Sequence, residues 1–339
     1  MKRFTKFFIM VMALVFSVFT MVGCTNNKSL ADKMADGDVI NIGIQQFATF
    51  SALDAATLGI QDELADAGYA DGDGANITIL NCELDNQVKG AQATTLVRDN
   101  DIVFGVATPC GVALQNAAKQ EQIDLPILFT AVTDPVDASL VTSNETPGAN
   151  VTGTTDMNPV NEQFDMLVEL FAANDGKNLT KLGIIYNVTE DNSKIQADLI
   201  QATAEAAGVE VEIETVNNDA GEIVGHVHKL ISDGCDAIYV PTDNLMSQNM
   251  GIIATSADEA GVVTLCGEEG QVSNGGTISY SIDYYNLGRL TAKMGLEIMN
   301  GADPATMAVR ALDVEQLKFC FNETSLENIG FILPEDLQN

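Results

Sequence analysis

Short apolar runs alternate with amphipathic stretches along most of the chain. Four runs in the first half predict buried strands: "VINIGIQQ", "NITILNCE", "IVFGVAT" and "PILFTAV". The stretch from Ala52 to Ala67 predicts a helix that ends at Gly68, and another helix is expected near Val88–Arg98. This alternation is typical of βα units that build a parallel sheet.

The same order of elements restarts at "KLGIIYN", which indicates an internal repeat. Gly43 and Gly183 occupy equivalent places in strands of the form I/L-G-I, and "GVATP" and "YVPTD" place Thr108 and Thr242 at equivalent strand ends. We therefore predict one α/β unit used twice, as two Rossmann-like lobes that face each other across a cleft. Each lobe is expected to be a parallel sheet flanked by helices.

The ends of the predicted strands mark the candidate binding site, because ligands bind outside the carboxyl ends of strands in an open parallel sheet. The segment "FTAVTDP", residues 129–135, lies at such an end, since it opens apolar and closes polar. Gln46, Thr108, Asn187 and Thr242 follow other predicted strands. We expect these positions to line one cleft.

The N-terminus predicts export. Three basic residues within the first six precede an apolar run from Phe7 to Val22, the pattern of a signal peptide. The following "MVGC", residues 21–24, resembles the bacterial lipobox, in which the cysteine carries lipid. We expect residues 1–23 to be removed and residues 24–38 to tether the protein, through Cys24, to the outer face of the cell membrane. An ordinary signal peptide with a chance cysteine is the alternative.

Length and charge narrow the function classes. At 339 residues, 46% of them hydrophobic, the chain is long enough for two globular domains. Its formal net charge of −32 argues against a nucleic-acid partner, because phosphate binding needs a basic patch.

The sequence contains no motif with the residues and the spacing that a catalytic or metal site requires. His226 and His228, the only histidines, lie two residues apart on a predicted helix and point about 200° apart, so they cannot chelate one metal. No G-x-G-x-x-G follows the first strand, and no nucleophile–base set is present. We expect no cofactor, no metal and no enzyme activity. The five cysteines after Cys24 suit neither zinc nor a disulfide scaffold, so we expect buried free thiols, as at Cys235 and Cys266.

Four motifs carry a family resemblance. "FTAVTDP", "NVTG", "YVPTDN" and "SIDYYNLGR" together resemble the ABC-transporter substrate-binding proteins that include tryptophan- and tyrosine-binding lipoproteins, and the similarity runs from about Asn41 to Leu337. The resemblance implies a type I periplasmic-binding-protein fold whose lobes are joined by three crossovers, which we place near Gly153–Asp156, Cys266–Gln271 and Ala302–Arg310. Lobe 1 would comprise residues 39–154 and 270–304, and lobe 2 residues 155–269 and 305–339.

The resemblance also implies a function. A solute-binding lipoprotein of an ABC importer closes its two lobes on a small solute and presents it to permease and ATPase subunits. We expect a monomer. Two alternatives remain open: a ligand-sensing lipoprotein for a chemoreceptor or other signalling partner, and a sugar- or nucleoside-type solute.

A zwitterionic amino acid, aromatic or apolar, fits the residues at the predicted cleft. Its carboxylate needs hydroxyl and N–H donors at helix N-termini, and its ammonium needs a carboxylate. The first lobe offers the hydroxyls of Thr108, Thr130 and Thr133. The remaining candidates are polar groups of the second lobe, further acids, one strand-end amide and an apolar wall: Asn187, Asn192, Ser193, Asp243 and Asn244; Glu268, Asp283 and Asp134; Gln46; Phe47, Phe50 and Tyr284.

Two of these roles can be stated sharply. Thr130 or Thr133 is expected to donate to the ligand carboxylate, and Asp243 to accept from the ammonium. The alternative for Asp243, and for Asp134 and Ser193, is that each caps a helix and nothing more. Of Tyr284 and its neighbour we expect at most one to face the ligand, since adjacent side chains point apart.

Overall fold

The computed structural model describes residues 28–313, 316–334 and 337. These residues form two α/β lobes, each built on a six-stranded sheet with helices on its faces. The predicted signal peptide and Cys24 lie outside the described residues. Within the described part, no helix has the length and apolar character needed to span a bilayer.

The first lobe comes mainly from the N-terminal half. Its elements in chain order are α1 (Leu30–Asp36), β1 (Ile40–Gln46), α2 (Ser51–Asp66), β2 (Ala70–Asp71), β3 (Gly74–Asn81), α3 (Asn86–Asp99), β4 (Ile102–Val106), α4 (Thr108–Glu121), β5 (Ile127–Val132) and β6 (Val151–Thr155). The strands are parallel in the order β2-β3-β1-β4-β5-β6. Every residue of β4 and β5 is buried, as expected for central strands covered on both faces.

The second lobe repeats this architecture. Its elements are α5 (Val160–Ala172), β7 (Lys181–Asn187), α6 (Asp191–Ala206), β8 (Glu210–Val216), α7 (Ile223–Ser232), β9 (Ala237–Val240), α8 (Asn244–Gln248), α9 (Met250–Ala260), β10 (Val263–Cys266), α10 (Glu269–Ser273), β11 (Ile278–Ser281), β12 (Lys318–Phe321) and α12 (Glu323–Ile329). The sheet order is β12-β11-β10-β9-β7-β8, with β12 antiparallel to β11. The predicted α/β repeat is confirmed.

One long helix returns to the first lobe. Helix α11 (Tyr284–Met299) lies against α2, and two glycines allow the close approach. A Cβ atom at Gly59 would lie 2.1 Å from the carbonyl oxygen of Tyr285, and one at Gly288 would lie 2.0 Å from that of Ala56. Because both obstacles are backbone atoms, neither position has room for a side chain.

Two of the three crossovers between the lobes lie later in the chain than predicted. The strand β11 pairs with β10 and β12, so residues 278–281 belong to the second sheet and not to lobe 1. The sequence predicted that the strand and the helix in "SIDYYNLGR" belong to the same lobe, because they are adjacent. In the structure the chain passes from the second lobe to the first at Ile282–Asp283, between the strand and the helix. The third crossover also comes later. Arg310 still bridges to Thr154 of the first lobe, and its N–H donates to the carbonyl oxygen of Gly153 at 3.0 Å.

Four of the five described cysteines match the expectation of buried free thiols. All five described cysteines are free thiols, and Cys82, Cys110, Cys235 and Cys266 are buried while Cys320 is partly exposed. Burial raises the pKa of the Cys235 thiol to about 11. Burial also raises the pKa of Cys110 and Cys266, so these three neutral thiols are weak nucleophiles that act as small apolar packing groups. Cys82 differs, because a hydrogen bond with Cys110 lowers its pKa.

Candidate functional site

A narrow inner cavity with a volume of about 20 Å³ lies between the two lobes. The first lobe and the first crossover supply Phe50, Ala52, Leu53, Ala107, Thr108, Ala131, Thr133, Asp156 and Tyr284. The second lobe supplies Asn192, Thr242, Asp243, Asn244, Ser247 and Glu268. The lobes approach closely beside it, because a Cβ atom at Gly270 of the second lobe would lie 2.0 Å from Ser51 Oγ of the first.

The first-lobe wall presents two helix N-termini without side-chain caps. Helix α2 follows Phe50 and helix α4 follows Ala107, and neither preceding residue accepts a hydrogen bond from the first turn through its side chain. Free N–H groups and the aligned peptide dipoles give such an end a partial positive charge. In α4 the dipole contributes more than the N–H groups, because Pro109 has no N–H and that of Cys110 donates to the carbonyl oxygen of Ala107. The apolar groups of this wall are Phe50, Leu53, Tyr284 and three alanines. This side of the cavity is therefore suited to an anion beside an apolar group.

The second-lobe wall presents acids at its helix starts. Asp243 caps α8 through Oδ1, which accepts from the N–H of Met246 at 3.0 Å, while Oδ2 accepts from the N–H of Asn187 at 2.7 Å. Both oxygens of Asp243 are therefore occupied by backbone donors.

Glu268 differs from Asp243 in one respect. Its Oε2 accepts from the N–H of Gly270 at the start of α10, but its Oε1 is buried and accepts no hydrogen bond of good geometry. The Ser247 hydroxyl and the Gln271 N–H lie near enough to this carboxyl to lower its pKa, against the larger effect of burial. Glu268 is only 1% exposed. A buried carboxylate oxygen without a donor is costly, so it requires a partner such as a water molecule, an ion or a ligand group.

Burial raises the pKa of four acids around the two pockets. It raises the pKa of Glu268 to about 7 and that of Asp156 to about 6. Burial, followed by the charge of Asp243, raises the pKa of Glu190 to about 8, and burial also raises the pKa of Asp243. Among the described residues that line the inner cavity there is no lysine or arginine. The site therefore carries more buried acid than it can neutralise, which favours a cationic group on the ligand.

A hydrogen-bond network joins the crossovers beside the cavity. Asp156, in the first crossover, accepts from the hydroxyl of Tyr284 at 2.8 Å and from Thr133 Oγ1 at 3.3 Å. Thr133 Oγ1 in turn lies 3.5 Å from Gln196 Nε2 of the second lobe. The network thus ties β5, two crossovers and α6 together at the wall of the cavity.

A bulge in β5 decides which threonine faces the cavity. Phe129 pairs with Gly153 and Val132 with Thr155, so β5 has one residue more than β6 in this interval, and Ala131 has a φ of +54°. Thr133 lines the cavity as a result. Thr130 instead accepts from Thr154 Oγ1 at 3.0 Å inside the first lobe and does not line the cavity.

The candidates named from the sequence fall into three groups. Eight line the inner cavity: Phe50, Thr108, Thr133, Asn192, Asp243, Asn244, Glu268 and Tyr284. Phe47, Asp134 and Asn187 line a wider outer pocket that shares Thr108 and Asn192 with the inner one. Gln46, Thr130, Ser193 and Asp283 line neither.

The last group has structural partners instead. The amide of Gln46 donates to the carbonyl oxygen of Ala48 at 2.7 Å, and Asp283 caps α11 and pairs with Lys318 at 2.7 Å. Ser193 is fully buried in the first turn of α6. Among the cavity residues that the sequence did not single out, Asp156 had a usable signal, because it directly follows the strand Val151–Thr155.

Comparison with known proteins gives consistent matches. The family model for ABC transporter substrate binding protein matches residues 41–339. A curated tyrosine-binding protein from Clostridioides difficile (strain R20291) is 34% identical over 333 residues, which cover 96% of this chain and 93% of that protein.

Solved structures show the same fold. An ABC domain from Streptococcus pneumonia in complex with L-Trp is 34% identical, with a TM-score of 0.82 over 89% of this chain and 98% of that one. A ligand-free, open substrate binding protein from Clostridium difficile is 33% identical, but its TM-score is 0.67, over 88% and 97%. At nearly equal identity, the whole chain superposes better on the ligand-bound structure than on the open one. A leucine binding protein from Thermotoga maritima, 14% identical with a TM-score of 0.60 over 86% and 87%, shares the fold.

Proposed function

Since the chain belongs to the family of ABC transporter substrate-binding proteins, we propose that it binds a free aromatic amino acid in the cavity between its lobes. Proteins of this family bind substrate and are not enzymes, and they work outside the cytoplasm. The relatives named for tyrosine and solved with L-Trp support the ligand class.

The polarity of the two walls supports a zwitterion in one orientation. Its carboxylate would lie at the uncapped starts of α2 and α4, where Thr108 and Thr133 add hydroxyl donors. Its ammonium would lie against the second-lobe acids. A single observation carries this assignment: Glu268 Oε1 is buried in the cavity wall and accepts no hydrogen bond of good geometry.

Glu268 is a better ammonium acceptor than Asp243. Both oxygens of Asp243 already accept from backbone N–H groups, so an ammonium would have to share them. The free oxygen of Glu268 would gain a charge-assisted hydrogen bond without breaking one. We therefore propose that Glu268 contacts the ligand ammonium directly. Asp243 caps its helix, and its negative charge adds to the electrostatic attraction of the ammonium.

The ligand side chain would pack on the apolar part of the first-lobe wall. Phe50 and Leu53 begin α2 on one side, and Tyr284 begins α11 on the other. Tyr284 is held by its bond to Asp156, while Tyr285 turns away and donates to Asp62 at 2.9 Å. Phe47, Asp134 and Asn187 would border the entrance instead of contacting the ligand.

The proposed role in transport implies a protein that is held at the outer face of the cell membrane. A protein tethered by lipid at Cys24 would trap the solute as its lobes close and would then dock on the permease of an ABC importer. The excess of 48 Asp and Glu over 16 Lys and Arg favours a soluble, monomeric body on that tether.

A ligand screen tests the proposal. Protein lacking residues 1–24 would be melted with each of the twenty amino acids, and aromatic ones are expected to raise the melting temperature most, since only binding to the native state does so. Sugars and nucleosides serve as the comparison set. Stabilisation by a sugar or nucleoside and by no amino acid would contradict the proposed ligand class.

A further inference from the structure

Two alanines in the cavity wall have a backbone conformation that L-residues rarely adopt. Among the described residues, seven that are not glycine have a positive φ: Glu83, Leu84, Ala107, Gln122, Ala131, Ser139 and Asn218. Ala107 (φ +81°) and Ala131 (φ +54°) are the two members of this set that line the inner cavity. Non-glycine residues in this region are strained, and such strain collects at functional sites.

Both alanines lie where central strands of the first sheet end. Ala107 joins β4 to α4: its N–H donates to the carbonyl oxygen of Thr130 at 3.0 Å, and its own carbonyl accepts from Cys110 at 3.0 Å. Ala131 is the bulged residue of β5. The surrounding hydrogen bonds and strand pairing hold each residue in place, so the strain persists without help from the ligand.

Glycine would adopt these conformations without strain, so the methyl groups require another explanation. Ala107 is 3% exposed and Ala131 is 8% exposed, and each has a methyl group as its whole side chain. Together with Ala52 they are the three alanines among the residues that line the cavity. A larger side chain would occupy the space of the ligand, and a glycine would leave a gap.

We propose that Ala107 and Ala131 are specificity-determining residues, whose methyl groups are held by the strained backbone against the ligand's side chain and set the size of the ring that fits. The inference rests on the proposed function. Substitution by glycine removes one buried methyl contact, and the expected loss of affinity is about fourfold for each position.

The experiment compares Ala107→Gly and Ala131→Gly with wild type by calorimetry, using L-phenylalanine and L-tryptophan as probes. Gln122→Gly is the matched control, since Gln122 has a φ of +56° at the end of α4 and lines neither the inner nor the outer pocket. All three variants relieve strain, so each melting temperature should stay level or rise by about 1–3 °C.

The result expected is a fall in phenylalanine affinity for both alanine variants, a smaller fall for the larger tryptophan, and no change for Gln122→Gly. Variants that melt like the control and bind both probes like wild type would overturn the inference. Equal losses for both probes would also overturn it, because a size-selecting wall must change the ratio. If wild type binds no aromatic amino acid, the proposed function itself fails; if wild type binds and the variants are unaltered, only this inference fails.

Discussion

Removing the charge of Glu268 is the substitution whose outcome the structure defines most fully. Glu268→Gln keeps the shape of the side chain and an oxygen that can accept from Gly270, but it removes the negative charge from the atom that has no partner. A hydrogen bond to a charged group contributes about 1.5–3 kcal/mol. Affinity for the amino acid should therefore fall between about tenfold and more than a hundredfold.

Stability should change in the opposite direction. Burial raises the pKa of Glu268 to about 7, so the unliganded native state binds a proton more tightly than the unfolded state does. Below the unfolded-state pKa of Glu268, the extra proton affinity of the native state contributes fully to the free energy of unfolding. This contribution is lost as the pH rises through the native-state pKa of about 7. The loss is roughly 3 kcal/mol for a shift of this size. Without ligand, Glu268→Gln should melt above wild type at pH 8, and the difference should shrink at pH 5.

The pH dependence of binding provides an independent check. Only the ionised form of Glu268 attracts an ammonium, so wild-type affinity should rise as the pH passes through about 7, and the variant should lack this part of the rise. Calorimetry at pH 5.5, 7 and 8.5 would measure both proteins. Glu269→Gln is the matched control, because Glu269 is adjacent but has a side chain that is 47% exposed. Wild-type affinity in Glu268→Gln, together with a raised melting temperature, would refute the reasoning and place the ammonium elsewhere.

Three further predictions concern two residues of the first lobe, one of the second lobe and the N-terminal cysteine. Thr133→Val should weaken binding about tenfold, since the hydroxyl lines the cavity, whereas Thr130→Val should lower the melting temperature and leave affinity unchanged; calorimetry that shows the reverse pattern would restore Thr130 to the site. Asp243→Ala should cost about 1 kcal/mol or more of stability as a lost helix cap, with a smaller loss of affinity than Glu268→Gln, and a larger one would make Asp243 the ammonium acceptor. Cys24→Ala should move the protein from the detergent phase to the aqueous phase on partitioning, and equal partitioning of both forms would exclude the lipid anchor.

The repeated α/β architecture was readable in the sequence because it depends on patterns that are local. Strand runs such as "KLGIIYN" and helix ends at glycine carry their own signal, and parallel strands place their carboxyl ends at one edge whatever the details. The position of the cleft could therefore be predicted from the carboxyl ends of the strands, and eight of the candidate residues do line the inner cavity.

What the sequence could not supply depends on single residues in unusual conformations. The extra residue in β5 reverses which threonine faces the cavity, and an alanine gives no warning of a left-handed backbone. The contrast between Asp243 and Glu268 is likewise invisible, because both precede a short helix and both cap it. Only the positions of neighbouring N–H groups show that both oxygens of Asp243 accept a backbone hydrogen bond, whereas Glu268 Oε1 accepts none of good geometry.

The most direct test of the account is to remove each charged end of the ligand in turn. Calorimetry would compare L-tyrosine with tyramine, which lacks the carboxylate, and with 3-(4-hydroxyphenyl)propionate, which lacks the ammonium. Wild type should bind L-tyrosine far more tightly than either, while Glu268→Gln should lose most of its discrimination against the propionate and keep its discrimination against tyramine. Binding of all three compounds with similar affinity by wild type would contradict a zwitterion held between the helix starts of the first lobe and Glu268 of the second.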